Sequence, residues 1–303
     1  MAIPEAQLNT WTGQGAVEGS IKTHKFIRNA LAAHTWPSGM KYSLYLQGSY
    51  ANSTNIRGDS DVDVVVEATS VFYSNLSELE KQQLQLTAGS YNYTEFRTQV
   101  IAAVQSYCGK HLVDASEPNA IVVLPSSGRL KADVVPCVSY KRYSSLIAQA
   151  EGLAFWNQHN NQQVVNYPKL HIRNGELKNG NQQTNGRYKP SVRMFKNARR
   201  RVVDGSDALR KKFPSYFVEC LFYNVPEGIF QQSYQFVFSE AVSYLTSALQ
   251  SDQATKFLTQ SRQHWLFGTT SVQWRQEDAI DFVLRLSQLW STWQSQAYAS
   301  VRY

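Results

Sequence analysis

Cysteine is scarce in this sequence: Cys108, Cys137 and Cys220 are odd in number and far apart. Neither a disulfide framework nor a C-x-x-C metal knuckle is available, and buried free thiols are expected instead. The six histidines, His24, His34, His111, His159, His171 and His264, show no H-x-x-x-H pairing, and no Ser-His-Asp arrangement follows from sequence order. No stretch approaches the roughly 20 apolar residues of a membrane span. MAIPEAQLNTWTGQG at the start lacks a basic region followed by an apolar one. A soluble, reducing, cytoplasmic setting is therefore expected. Internal repeats and low-complexity tails are missing as well.

Acidic charge is outweighed. Thirty Lys and Arg against 23 Asp and Glu leave a formal net charge of +7, which favours polyanionic partners such as nucleic acid or nucleoside triphosphates. With 303 residues, 43% of them hydrophobic and 13% aromatic, the chain can bury a core and has the length for two domains.

The spacing of Val17, Ile21, Ile27 and Leu31 predicts a helix within residues 16–35. KYSLYLQGSY then alternates like a strand that stops at Gly48-Ser49. Further strands are expected at 61–68, 121–125 and 129–140, with helical sequence over 76–108. The first half is thus mixed, with one mixed or antiparallel sheet. HIRNGELKNGNQQTNGRYKP (171–190), rich in Gly, Asn and Gln, reads as a long loop or short hairpin, and helical patterns follow from Pro190. The expected organisation is α+β, with a sheet-based lobe over 1–165 and a helical lobe over 166–303.

Chemistry concentrates in the acids. With eleven residues between them and Gly48-Ser49, the run DVDVVV opens a strand with Asp61 and Asp63. Residues i and i+2 of a strand share a face, so these two carboxylates point together while Val62 and Val64 face the core. Paired carboxylates repel unless a cation lies between them, and Mg²⁺ takes hard oxygen ligands together with substrate phosphates. In RLKADVVPC, Asp133 shares a face with Lys131 and Val135. Taken alone, Asp133 also suits an ion pair with Lys131. Taken with Asp61 and Asp63, it completes a site for two metals roughly 3.5–4 Å apart, suited to in-line displacement at phosphorus. Gly48 would let backbone approach a triphosphate, and Ser49 would offer it a hydroxyl.

In KPSVRMFKNARRRVV, Arg193, Lys196 and Arg200 fall on one face of an amphipathic helix. Such a face is either simply solvated or grips phosphate, including that of a nucleic-acid backbone.

GSYANSTNIRGDSDVDVVV resembles the signature of the polymerase-β-like nucleotidyltransferases. In particular, it is similar to the bacterial cGAS/DncV-like nucleotidyltransferases. NYPKLHIRNG, KPSVRMFKNARR and PSYFVECLFYNVP extend the likeness towards their CdnE-like clade. The resemblance implies a bilobal fold with its active site in the cleft between a mixed-sheet catalytic lobe and a helical lobe. It implies two Mg²⁺ ions, with Mn²⁺ as a substitute, held by Asp61, Asp63 and Asp133. It further implies that Lys196, with Arg193, grips the β- and γ-phosphates of the donor, and that Asn166 selects a pyrimidine.

The implied product is a cyclic dinucleotide, cyclic UMP–AMP or cyclic di-UMP, made from UTP and ATP in anti-phage defence and read by a downstream effector. The animal relatives carry a zinc-binding insertion for DNA sensing, and its Cys/His cluster is missing here, so no DNA activator is implied. A monomer without membrane association is expected. Two rivals stay open: transfer to RNA or a small-molecule acceptor, and a non-catalytic nucleic-acid-binding module. His171 is expected to make a structural hydrogen bond.

Overall fold

The computed structural model describes residues 2–58, 61–126 and 128–293. The valine-rich run after Asp61 has too many β-branched side chains for a favourable helix and forms the strand Asp61–Ser74 (β2). Val62, Val64, Val65 and Val66 are fully buried, each burial contributing about 1.5–3 kcal/mol of transfer free energy.

β2 lies beside Tyr42–Leu46 (β1) and, in parallel, Lys131–Ser145 (β5). Ile121–Val123 (β4) and Val113–Asp114 (β3) extend the sheet in the order β1-β2-β5-β4-β3. Ala148–Trp156 (β6) also pairs with β5, and Gln163–Asn166 (β7) pairs with β6. Among the described residues only the β2–β5 pair of the sheet is parallel, so the sheet is mixed.

Two groups of residues form separate compact units. One comprises residues 16–51 and 59–169. It holds the sheet and the helices Glu18–Ala32 (α2), Gly48–Ala51 (α3), Glu78–Gln83 (α4) and Tyr93–Cys108 (α5). Ile27 and Leu31 of α2 and Phe96, Val100 and Val104 of α5 join the strand valines in its core. α5 starts at a reciprocal capping box, with Asn92 and Glu95 each bonding the other's backbone N–H. The expected helical run over 76–108 is broken at 84–92, where Leu84 caps α4 and Gln85 takes a positive φ.

The other unit comprises residues 1–15, 52–58 and 170–303. It contains Glu5–Trp11 (α1), most of Pro168–Asn179 (α6), Tyr188–Val202 (α7), Asp207–Lys212 (α8), Ser215–Tyr223 (α9), Tyr234–Leu249 (α10) and Gln276–Ser291 (α11). A single cut at residue 165 is thus too simple: two early stretches join the helical unit. The reason is visible in α1. Ile3, Leu8 and Trp11 are buried in the helical core, and the Glu5 carboxylate accepts the Tyr234 and Gln235 N–H groups at the start of α10, at 2.9 and 2.7 Å.

The loop or hairpin expected at 171–190 is corrected by α6, which runs to Asn179; only about 180–187 is turn. The buried positions of α6 are His171, Gly175 and Lys178. They have helical spacing but no apolar side chains, so hydrophobic periodicity did not register them. Lys178 Nζ donates to the Val225 carbonyl at 2.8 Å, and Asn174 donates to the Gln260 carbonyl at 2.9 Å. Among the described residues, no helix is long and apolar enough to cross a membrane. All three cysteines are free; Cys137 and Cys220 are buried, and Cys108 is half-buried rather than buried.

Candidate active site

Parallel pairing sets Asp61 level with Lys131 and Asp63 level with Asp133. Val62, Val64, Ala132 and Val134 are fully buried. The intervening residues therefore carry their side chains on the opposite face, three carboxylates and one ammonium together. Lys131 Nζ lies 3.2 Å from Asp61 Oδ2 and 3.3 Å from Asp133 Oδ1. The contact to Asp61 is a hydrogen bond. The contact to Asp133 is an ion pair without hydrogen-bond geometry, which leaves the buried Asp133 Oδ1 with no hydrogen bond. Burial pushes the Asp133 carboxyl above its ordinary value. Lys131 opposes this shift, while the negative charges of Asp61 and Glu117 add to it.

Gly48 sits against this cluster. Its φ is +65°, in the left-handed region, and a methyl group placed on it would collide with the Asp63 carboxylate. The Gln47 N–H donates to the Asp63 carbonyl at 3.0 Å, so the β1–α3 turn and the acidic strand are fixed to each other. Ser49 follows in α3, half-buried.

Hard oxygen ligands, one of them a buried carboxylate oxygen without a hydrogen bond, suit a divalent cation. Nucleotidyltransferases generally use such ions. Among the described residues, no three His, Cys, Asp or Glu side chains stand as a ready-made metal cage. The Lys131 ammonium lies where two of the carboxylates converge.

Further along β2, on the same face as Asp61 and Asp63, is Glu67, 4% exposed. It accepts from Tyr45 at 2.8 Å, Ser139 at 2.7 Å and Lys169 at 2.9 Å. Burial raises its carboxyl pKa, but these hydrogen bonds and the Lys169 charge outweigh burial and leave it lowered. Lys169 lies three residues past Asn166. Asn166 ends β7 opposite Leu153 and is exposed. Gly152 permits this path, since a side chain there would meet the Tyr167 ring at 2.8 Å and the Asn166 carbonyl at 3.0 Å.

Arg193 and Lys196 belong to the helical unit, and the structure corrects their reading as a free cationic face. Lys196 is 1% exposed and pairs with Glu219 of α9, itself 4% exposed. Arg193 donates to the Thr12 carbonyl at 2.5 Å and the Ser53 carbonyl at 2.6 Å. Arg200 donates to the Arg57 carbonyl. The face binds backbone of this chain, chiefly the 52–58 stretch.

Glu219 is the hub of that unit. Besides Lys196 it accepts from Asn52 at 2.8 Å and Thr54 at 2.7 Å. The His171 Nε2 lies 3.0 Å from it, the structural hydrogen bond expected of that histidine. Sequence reasoning missed Glu67 and Glu219. The available signal was a lone acid inside each apolar run, DVVVEATSV and SYFVECLFY, since a buried carboxylate needs partners.

Residues 28–106 match the nucleotidyltransferase domain, and residues 173–291 match the cGAS/DncV-like nucleotidyltransferase C-terminal helical domain. A cyclic UMP-AMP synthase of Rhodothermus marinus is 42% identical over 297 residues, covering 97% of this chain and 99% of the relative. A cyclic nucleotide synthase of Staphylococcus haemolyticus is 32% identical, covering 97% and 100%. The structure of the Rhodothermus marinus CdnE with Apcpp and Upnpp superposes with a TM-score of 0.88, covering 96% of this chain and 97% of that one. Sheet topology, domain matches and full-length identity agree: this chain belongs to the cGAS/DncV-like nucleotidyltransferases and, within them, to the CdnE enzymes.

Proposed function

We propose that this enzyme joins two nucleoside triphosphates, UTP and ATP being the favoured pair, and closes them into a cyclic dinucleotide. The observation that carries the reading is the level pairing of Asp63 with Asp133 on parallel strands, with Asp61 beside them and Gly48 against Asp63. Asp61, Asp63 and Asp133 would hold two Mg²⁺ ions, with Mn²⁺ as a substitute, and these would neutralise charge on the reacting phosphate and lower the pKa of the attacking hydroxyl.

A ribose hydroxyl of one nucleotide forms a bond to the α-phosphorus of the other, and the bond from that phosphorus to the bridging oxygen breaks, releasing pyrophosphate. Asp133 accepts the hydroxyl proton. Ser49, in the first turn of α3, donates its hydroxyl to the donor triphosphate. A second such transfer between the same two nucleotides closes the ring. The Rhodothermus marinus relative is by name a cyclic UMP-AMP synthase, and its structure holds a uridine and an adenosine triphosphate analogue. The same reading gives the product a signalling role in anti-phage defence, with a product-sensing effector downstream.

The test incubates pure protein with Mg²⁺ and labelled UTP and ATP, without any acceptor. A phosphatase-resistant product of the wild type, lost in Asp61→Asn with Asp63→Asn, is the expected result. Label that appears only when RNA or an aminoglycoside is supplied would overturn it.

A further inference from the structure

We propose that Lys131 is a built-in counter-ion of the acidic cluster. A divalent cation must displace it, and a nucleotide phosphate then receives it. This inference rests on the reading of Asp61, Asp63 and Asp133 as metal ligands.

Three observations carry it. The ammonium sits 3.2 Å from Asp61 and 3.3 Å from Asp133, bridging carboxylates that come from two different strands. The register explains how: Lys131 is level with Asp61, while Asp133 lies two residues along the same strand face. The position is also accessible, since the Lys131 side chain is 33% exposed and those of its partners 47% and 27%. Lys131 is therefore a solvent-accessible charge at the rim and not a sealed structural pair.

A lysine ammonium is a compact point charge on a flexible stem, with three donors and no acceptor. Held at these distances it competes with a metal ion for the same oxygens, because its positive charge repels the ion and its hydrogen bond occupies a lone pair of Asp61. Without metal it relieves the repulsion among the carboxylates. When a divalent ion takes the oxygens, the ammonium must leave, and the anion that arrives with the metal is a triphosphate. Displacement makes metal binding weak when nucleotide is absent and stronger when it is present, so Lys131 couples the two ligands.

Binding of Mn²⁺ alone, followed by the loss of the free-ion electron paramagnetic resonance signal, tests this without turnover. Four proteins are titrated with and without a non-hydrolysable triphosphate: wild type, Lys131→Met, Lys131→Arg and Asp63→Asn. Lys131→Met is expected to bind Mn²⁺ roughly tenfold more tightly than wild type without nucleotide. Its further gain on adding nucleotide is expected to be smaller than that of wild type. Lys131→Arg keeps the charge and should stay within about threefold of wild type by the same reasoning. Lys131→Gln serves as a second neutral variant should Lys131→Met not fold. If the neutral variants bind Mn²⁺ no more tightly than wild type while Asp63→Asn loses it, the counter-ion role is wrong and the metal site stands. If Asp63→Asn binds as wild type does, the metal-site reading itself has failed.

Discussion

Lys196 and Glu219 close on each other inside the helical unit, on facing positions of α7 and α9, with 1% and 4% of their surface exposed. Burial alone would raise the Glu219 carboxyl, but the Lys196 charge and the hydrogen bonds from His171 and Lys196 hold it well below the ordinary carboxylate range. A cation so enclosed is committed to its carboxylate partner.

Lys196→Met is therefore expected to act on stability. Removing one partner of a buried pair costs about 3–5 kcal/mol, because the other charge stays buried without its counterpart. Loss of a phosphate contact would instead weaken nucleotide binding by about one to two decades. Urea denaturation and the KM for each triphosphate separate the two effects. An unchanged denaturation midpoint with a tenfold higher KM would return Lys196 to the phosphate.

Gly48→Ala is expected to harm activity far more than stability. The left-handed φ of +65° costs a non-glycine residue roughly 1–2 kcal/mol. The larger effect is steric, since the new methyl meets the Asp63 carboxylate. A side-chain carboxylate can rotate away cheaply, but displacement by about 1 Å typically lowers turnover 10²-fold. Thermal melting and product formation read the two effects. Full activity in Gly48→Ala would show that the close approach to Asp63 has no catalytic consequence.

Glu67 gives a pH signature. Its folded pKa lies below the ordinary 4.5 because Lys169, Ser139 and Tyr45 outweigh burial. A lowered carboxyl pKa adds stability that is fully present above 4.5 and fades as pH falls through the folded value. Glu67→Gln should lower stability by about 1–3 kcal/mol at pH 7. The gap between variant and wild type should narrow below about pH 4.5. Denaturation midpoints across pH 3–7 measure it. A gap that is constant with pH would mean that Glu67 contributes packing rather than charge.

The face shared by Asp61 and Asp63 was legible because strand periodicity is local and its valines mark the buried side. The level pairing of Asp63 with Asp133 was not, since register between strands separated by a helix is set by the whole sheet. β6 and β7 were missed for a related reason. AQAEGLAFW and QVVN have weak alternation of their own and become strands by pairing with β5 and with each other. The helical period of α7 is legible in the sequence and puts its cations on one face. What period alone left open was whether that face meets solvent or chain. Here Ser53, Thr54 and Arg57 of the same unit fill it. Two partners of Glu219 are not readable from the sequence, because Asn52 and Thr54 lie more than 160 residues away.

We propose that Asn166 governs the choice of base. Its side chain is exposed at the end of β7, and among the described residues it makes no hydrogen bond within the chain. Gly152 on β6 makes room for the Asn166 carbonyl and the buried Tyr167 ring, and Lys169 pairs with Glu67. A carboxamide so presented offers both an acceptor and donors, which match N3–H and O4 of uracil. Serine at this position keeps a hydroxyl but loses the paired acceptor and donor, so it discriminates less between base edges. Losing matched polar contacts to a base costs on the order of 1–3 kcal/mol, enough to change the dominant product. Asn166→Ser is therefore expected to shift incorporation from UMP towards purines by about tenfold while the melting temperature stays within a few degrees. Mass spectrometry of products formed from equimolar ATP, GTP, CTP and UTP reads the shift. A variant with the same base composition as wild type, or a wild type that gives full yield from ATP and GTP while ignoring UTP, would remove Asn166 from base selection.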